Sequence, residues 1–202
     1  MKIDQIKATQ ERIGVEPDGF WGPISTAAAQ AHLRRYMARA EWQFPTQREV
    51  STNRSIFGPH GVPGGYEPPA EKIELPFPLH LYGDPAVKVR SLLLHPACAP
   101  AFLYAFNLLA DAFPTQEERQ AAGILNYDGV YAPRPIRGGS SWSMHSYRIA
   151  LDLDSGRNGN SMHWPVKASM PIVVMECFAA AGLTCAGAMW SRDAMHTQAA
   201  GG

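Results

Sequence analysis

The sequence predicts an α+β fold: a small antiparallel sheet with flanking helices, preceded by a small N-terminal helical module. Three observations carry this prediction. Residues 99–113 and 170–181 are apolar runs of helical length. Residues 149–154 alternate apolar and polar, as a strand does. The first 42 residues carry a helical periodicity of their own around a turn-rich centre. A length of 202 residues suits one full domain and a small appendage. With 46% apolar and 18% charged residues, a packed core is expected rather than disorder.

Taken in order, Ile3, Ile6, Thr9, Gln10 and Ile13 recur at helical spacing, and Gly14 closes that helix. Pro17-Asp18-Gly19 has turn chemistry: Pro presets φ, Asp bonds backbone and Gly accepts a positive φ. A second helix is expected from Pro23, capped by Ser25 or Thr26, to about Ala40. Residues 43–85 are rich in Pro and Gly and read as a linker and wrapping loop, with at most a short strand near Lys72–Leu75. Residues 86–202 read as the main core. Within it, the helix at 99–113 is stopped by Pro114, and residues 125–131 suit a strand. In 149–154, Ile149, Leu151 and Leu153 share one face and Ala150, Asp152 and Asp154 the other, a half-buried strand. The helix at 170–181 tolerates Pro171 in its first turn and ends at Gly182. Residues 186–190 are expected to form a last strand.

Composition excludes several classes. Eighteen basic and eighteen acidic residues give no net charge, whereas a nucleic-acid partner calls for a basic excess. No apolar run reaches the length of a membrane span. The start, Met1-Lys2-Ile3-Asp4-Gln5, lacks the apolar stretch of an export signal, so synthesis as a soluble cytosolic product is expected. Cys98, Cys177 and Cys185 are far apart and form no CxxC, so they read as reduced, mostly buried thiols.

The chemistry concentrates in two segments. Asp152 projects from the polar face of its strand, and His145 lies just before that strand, where it can fold back beside the carboxylate; together they make half of a zinc site. Asp193 and His196 are three apart and share a face on a helical turn. His145, Asp152 and His196 would leave a fourth metal position open for water, and Asp193 could hold that water without ligating. Upstream, Arg134 and Arg137 sit in a Pro/Gly loop and suit a developing oxyanion or a substrate carboxylate. Taken singly, Asp152 reads better as a strand-end Asp, Asp193 as a helix cap and the arginines as a solvated loop. The order in which they occur is what points to a metal. His32, His60, His80, His95 and His163 lack such surroundings and read as structural or surface residues.

Ser143-x-His145-x(6)-Asp152, followed by Trp190-x-x-Asp193-x-x-His196, resembles the zinc D-Ala-D-Ala carboxypeptidase and L-alanyl-D-glutamate endopeptidase family. The likeness spans roughly residues 55–200, and Phe57–Gly61 and Tyr131–Gly138 share in it. It implies Zn2+ held by His145, Asp152 and His196, with Asp193 as general base. It also implies an arginine near the scissile carbonyl, Arg134 or Arg137, and substrate contacts from Ser143 and Trp190. The sequence departs from the family pattern at Arg148, where Gly is usual, at residues 183–187, where a Trp/Gly-rich stretch is usual, and at Thr197-Gln198, where an aromatic or acidic residue is usual. Arg148 is expected to crowd its turn or to touch substrate.

Gln10-x-x-Ile13-Gly14-Val15 followed by Asp18-Gly19-Phe20-Trp21-Gly22-Pro23-x-x-Thr26 resembles a peptidoglycan-binding helical module, although a third helix is missing or displaced. A helical hairpin packed on the main domain is the alternative. Together the resemblances imply a monomeric phage endolysin-like peptidase, made in the host cytoplasm and acting on peptidoglycan stem peptides once released onto the wall. A D-Ala-D-Ala carboxypeptidase and a non-catalytic wall-binding protein with a structural metal are the alternatives.

Overall fold

The alternation of Ile149, Leu151 and Leu153 places a strand, β4 (Ala150–Leu153), in the middle of the molecule. The computed structural model describes residues 3–52 and 57–201. Met1 and Lys2, read above for an export signal, lie outside the described residues, as do residues 53–56 and Gly202. β4 pairs antiparallel with β3 (Asn126–Gly129) on one side and with β6 (His196–Gln198) on the other. It is not half-buried. Ala150 on the expected open face is as buried as Leu151, because the 3-10 turn Met144–Tyr147 packs beside the strand. Only Asp152 stays partly open.

The expected α+β class holds. A six-stranded sheet runs in the order β2 (Asp84–Leu94), β1 (Glu71–Leu81), β3, β4, β6, β5 (Thr184–Cys185), with helices packed against it. It is mixed rather than purely antiparallel, since β1 and β3 pair in parallel. The connection explains it: β2 runs back along one edge of β1, and α4 (Ala99–Ala112) and α5 (Gln116–Ala122) then carry the chain to the other edge of β1, where β3 enters in the direction of β1 and opposite to β2.

The largest departure lies in the segment read as a loop. β1 (Glu71–Leu81) and β2 (Asp84–Leu94) form a long antiparallel hairpin. Pro76 and Pro78 fall where the ladder is irregular, between Glu74 and Leu79, so their missing N–H groups break no regular pairing. Ile73, Phe77 and Leu79 point inward at strand period and are buried.

α4 turns Phe102, Phe106 and Leu109 into the core, against β1 and α7 (Ile172–Ala180). α7 is apolar almost all round, as a helix sandwiched between two others must be. Its other neighbour is α2 (Pro23–Met37), which with α1 (Ile3–Ile13) forms the N-terminal block. Ser25 and Thr26 do not cap α2. Gly22 holds the N-cap position ahead of Pro23, and Ser25 Oγ is engaged instead by Gln10 Nε2 at 3.1 Å. Residues 186–190 form a short helix, α8 (Ala186–Trp190), not a strand. The strand precedes it as β5 (Thr184–Cys185), and Gly187 lets α8 close against Met175 and Ala194. Cys98, Cys177 and Cys185 are buried free thiols, and burial pushes Cys177 and Cys185 up to about 12. Among the described residues no helix is long and apolar enough to cross a membrane.

Candidate metal centre

Sheet register creates the centre of the site. Asp152 on β4 lies directly opposite His196 on β6, and directly opposed residues of an antiparallel pair share a face. His145 reaches the same point from the 3-10 turn before β4. That turn is fixed at both ends: the Ser143 Oγ accepts from the His145 N–H at its start, and Arg148 ends it at φ 60°. Ser146 ties the turn to the loop ahead of it, donating to the Ala132 and Arg134 carbonyls and accepting from the Arg134 N–H.

His196 Nδ1 lies 2.9 Å from Asp152 Oδ1, His145 Nε2 lies 3.2 Å from the same oxygen, and the two ring nitrogens are 3.1 Å apart. Four-coordinate zinc, with bonds of about 2.0–2.1 Å, sets its ligand atoms roughly 3.3 Å from one another. The three atoms are therefore spaced much as a shared ion requires, and two imidazoles with one carboxylate suit zinc. The outer contacts agree. His145 Nδ1 lies 2.8 Å from the Val130 carbonyl, which can only accept, so Nδ1 carries the hydrogen and the Nε2 lone pair faces the site. His196 Nε2 lies 2.9 Å from Gln198 Oε1. Burial alone would raise the Asp152 pKa, but the adjoining His145 and His196 rings outweigh it and hold the carboxyl well below the usual range.

Asp193 arrives beside this cluster in another way than expected. Residues 191–195 form tight turns, with Ser191 and Asp193 both at φ 60°, and the His196 N–H donates to the Asp193 carbonyl at 2.9 Å before β6 begins. There is no helical turn there. Asp193 Oδ1 is buried without a hydrogen-bond partner, and burial pushes its carboxyl above the usual range. An orphaned carboxylate oxygen beside this cluster is suited to hold or move a proton.

The cluster opens onto a cleft of about 980 Å3, the size of a small-ligand site. Trp190 lines it and lies nearly parallel to the His196 ring, centroids 5.9 Å apart and planes at 28°. Ser143 also lines it, although its oxygen is engaged as the cap of the turn. Arg134 and Arg137 also line the cleft, in a hairpin closed by Ile136 N–H to Ser141 O and Ser143 N–H to Arg134 O. Both are exposed, and the structure brings them to the cleft without joining either to the His/Asp cluster. Arg148 does not face the cleft. It pairs with Glu67 and stacks 4.0 Å over the Tyr131 ring, and its left-handed backbone explains why glycine would also suit the position.

Sequence reasoning missed three contributors. α3 (Gln47–Thr52) supplies a wall, with Arg48, because Gln47 N–H donates to the Gly201 carbonyl and Gly201 N–H to the Pro45 carbonyl. That pairing joins chain segments some 150 residues apart, and no local pattern reports it. The Val130 carbonyl is main chain and leaves no sequence trace. Gln198 did leave one: two residues after His196 in a strand, it lies on the same face.

The comparison that bears on chemistry covers this part of the chain. Residues 137–199 match the family model described as D-alanyl-D-alanine carboxypeptidase. No curated protein and no solved structure matches the chain. The matched segment is less than half of the chain, and it contains all three residues of the His/Asp cluster together with Asp193. The match supports a peptidase, and the cluster is one that could hold a metal ion.

Proposed function

We propose that this chain is a zinc peptidase that hydrolyses amide bonds in peptidoglycan stem peptides, as an endolysin-type L-alanyl-D-glutamate endopeptidase. The observation that carries the proposal is the meeting of His145, Asp152 and His196 at the floor of an open cleft, beside the unpartnered carboxylate oxygen of Asp193, inside the segment that matches a peptidase family.

His145 Nε2, Asp152 Oδ1 and His196 Nδ1 would hold the ion. When bound, zinc polarises a carbonyl and acidifies water toward neutrality. The remaining work falls to the chain. Asp193 accepts a proton from the attacking water and returns it to the leaving amine. Arg134 or Arg137, from the cleft wall, offers N–H groups to the charge that develops on the scissile carbonyl oxygen. Trp190 holds the His196 ring in plane and gives an apolar side to the bound peptide, and Ser143 borders the same peptide. The N-terminal block is proposed to contact the wall polymer.

Digestion of purified cell-wall sacculi with zinc-loaded protein, followed by mass analysis of the fragments, tests this. New L-alanyl carboxyl ends with new D-glutamyl amines support the endopeptidase. Release of a single terminal alanine would assign the carboxypeptidase reading, which the family description and the two cleft arginines favour. No new ends, with zinc bound, would leave a wall-binding protein.

A further inference from the structure

We infer that Gln198 is a positioning residue of the metal centre: it decides which nitrogen of His196 faces the ion. The inference rests on the zinc-site reading above. Gln198 is fully buried, and both ends of its amide are engaged. Its Nε2 lies 2.8 Å from the Ala200 carbonyl and its Oε1 lies 2.9 Å from His196 Nε2. A carbonyl oxygen cannot donate, so the Ala200 contact settles the orientation of the amide, nitrogen toward Ala200 and oxygen toward the ring. An amide oxygen cannot donate either, so His196 Nε2 carries a hydrogen. Nδ1 is then the nitrogen left for ligation, and it is the one that faces Asp152 and His145.

The anchor of this chain of bonds is itself fixed. Ala199 N–H donates to the Ile149 carbonyl at 2.8 Å and Gly201 N–H to the Pro45 carbonyl at 2.7 Å, so the Ala200 carbonyl is held from both sides. The two histidines differ in one respect. His145 takes its outer hydrogen bond from main chain, which no substitution removes. His196 takes its own from a side chain, which one substitution removes. Loss of such an outer partner typically costs about 10–100-fold in metal affinity.

The test compares three variants with the wild-type chain, each stripped of metal by chelation. Gln198→Met keeps the volume and removes the acceptor, Gln198→Asn withdraws the acceptor by one methylene, and Gln198→Glu keeps an acceptor toward His196. Zinc affinity is read by competition with a chromophoric chelator, the ligand field by the visible spectrum with Co2+, and the fold by circular dichroism of the metal-free form. The expected result is zinc affinity lower by about 10–100-fold in Gln198→Met and Gln198→Asn with an altered Co2+ spectrum, and affinity within a few-fold of wild type in Gln198→Glu. Should Gln198→Met fail to fold, Gln198→Asn carries the same comparison. Wild-type affinity in the folded acceptor-less variants overturns the inference and would make Gln198 a space-filling residue, and a Gln198→Glu as weak as Gln198→Met overturns it too, since an acceptor toward His196 would then not be what the site needs. A wild-type chain that binds neither Zn2+ nor Co2+ would instead overturn the metal-centre reading on which it rests.

Discussion

Asp193 holds a left-handed backbone conformation with one carboxylate oxygen buried and unpartnered, and both features cost stability. Such costs persist where function requires them. Asp193→Asn keeps the shape and leaves the three ligands in place, so zinc content by elemental analysis is expected to match wild type while turnover falls by about 10²–10⁴-fold. His145→Ala and His196→Ala are expected to lose zinc and thermal stability together. Zinc lost from Asp193→Asn would make Asp193 a ligand instead. A second residue shows how far turn chemistry was legible. Pro17-Asp18-Gly19 forms the expected turn, with Phe20 N–H donating to Asp18 Oδ1 at 2.8 Å and Gly19 at φ 80°. The buried Gln10, a point of the helical stripe and of the module-like motif, grips this turn, a role that neither pattern reports. Its Nε2 donates to Asp18 Oδ1, and its Oε1 accepts from Gly19 N–H. The Gln10 bond, with the Phe20 N–H, lowers the Asp18 pKa. A depressed carboxylate stabilises the fold above its ordinary pKa and loses that contribution as pH falls through the lowered value. Asp18→Ala is therefore expected to lower the thermal midpoint at neutral pH, with the gap from wild type closing in strong acid. A gap independent of pH would show that the carboxylate charge plays no part.

At the scale of elements, legibility followed local pattern and failed where a pattern was masked. α1 and α4 were read nearly to the residue, because one face or the whole surface is apolar and Gly14 and Pro114 mark the ends. β1 was not, although Ile73, Leu75, Phe77, Leu79 and Leu81 alternate without a break. Pro76 and Pro78 occupy the other phase of that alternation and argued for a loop, and the ladder accommodates them by losing register there. α8 was misread because an apolar run of five residues fits either state until its neighbours decide. The end of α7 is decided by a contact from elsewhere. Gly182 has φ 76°, and a Cβ there would overlap the Trp42 carbonyl oxygen, main chain that cannot step aside. Gly64 has a similar φ of 67° and nothing within 4 Å. Gly182→Ala is expected to cost about 2–4 kcal/mol in urea unfolding, from strain plus overlap. Gly64→Ala should cost about 1–2 kcal/mol, from the backbone conformation alone. Equal costs would mean that the Trp42 segment yields.

At the scale of the molecule, the N-terminal block and the main sheet share one interior. Ile13, Ala29 and Leu33 belong to the same buried cluster as Phe102, Leu151 and Phe178. Glu176 on α7, almost wholly buried, is met among the described residues by side chains of that block: Arg12 through Nε and Nη2, and His32 Nε2 at 2.7 Å. A buried carboxylate stripped of such partners is strongly destabilising. Trp21 packs edge-on to Trp164 at 5.1 Å, which ties the Asp-Gly-x-x-Gly-Pro turn to the main domain as well. The sequence likeness to a wall-binding module shows none of this, because a motif records the residues of its own turn and not the faces it buries. The two views separate on deletion of residues 1–42. A self-contained binding module would leave the thermal midpoint of the remainder unchanged. The structure predicts a remainder with Glu176 unpaired and the α2-facing side of α7 open to water, so its midpoint should fall sharply or its unfolding lose cooperativity, with zinc affinity falling alongside as the strands that carry the ligands loosen. Calorimetry of the truncated and full chains, each with and without zinc, decides between them, and an unchanged midpoint would restore the detachable module.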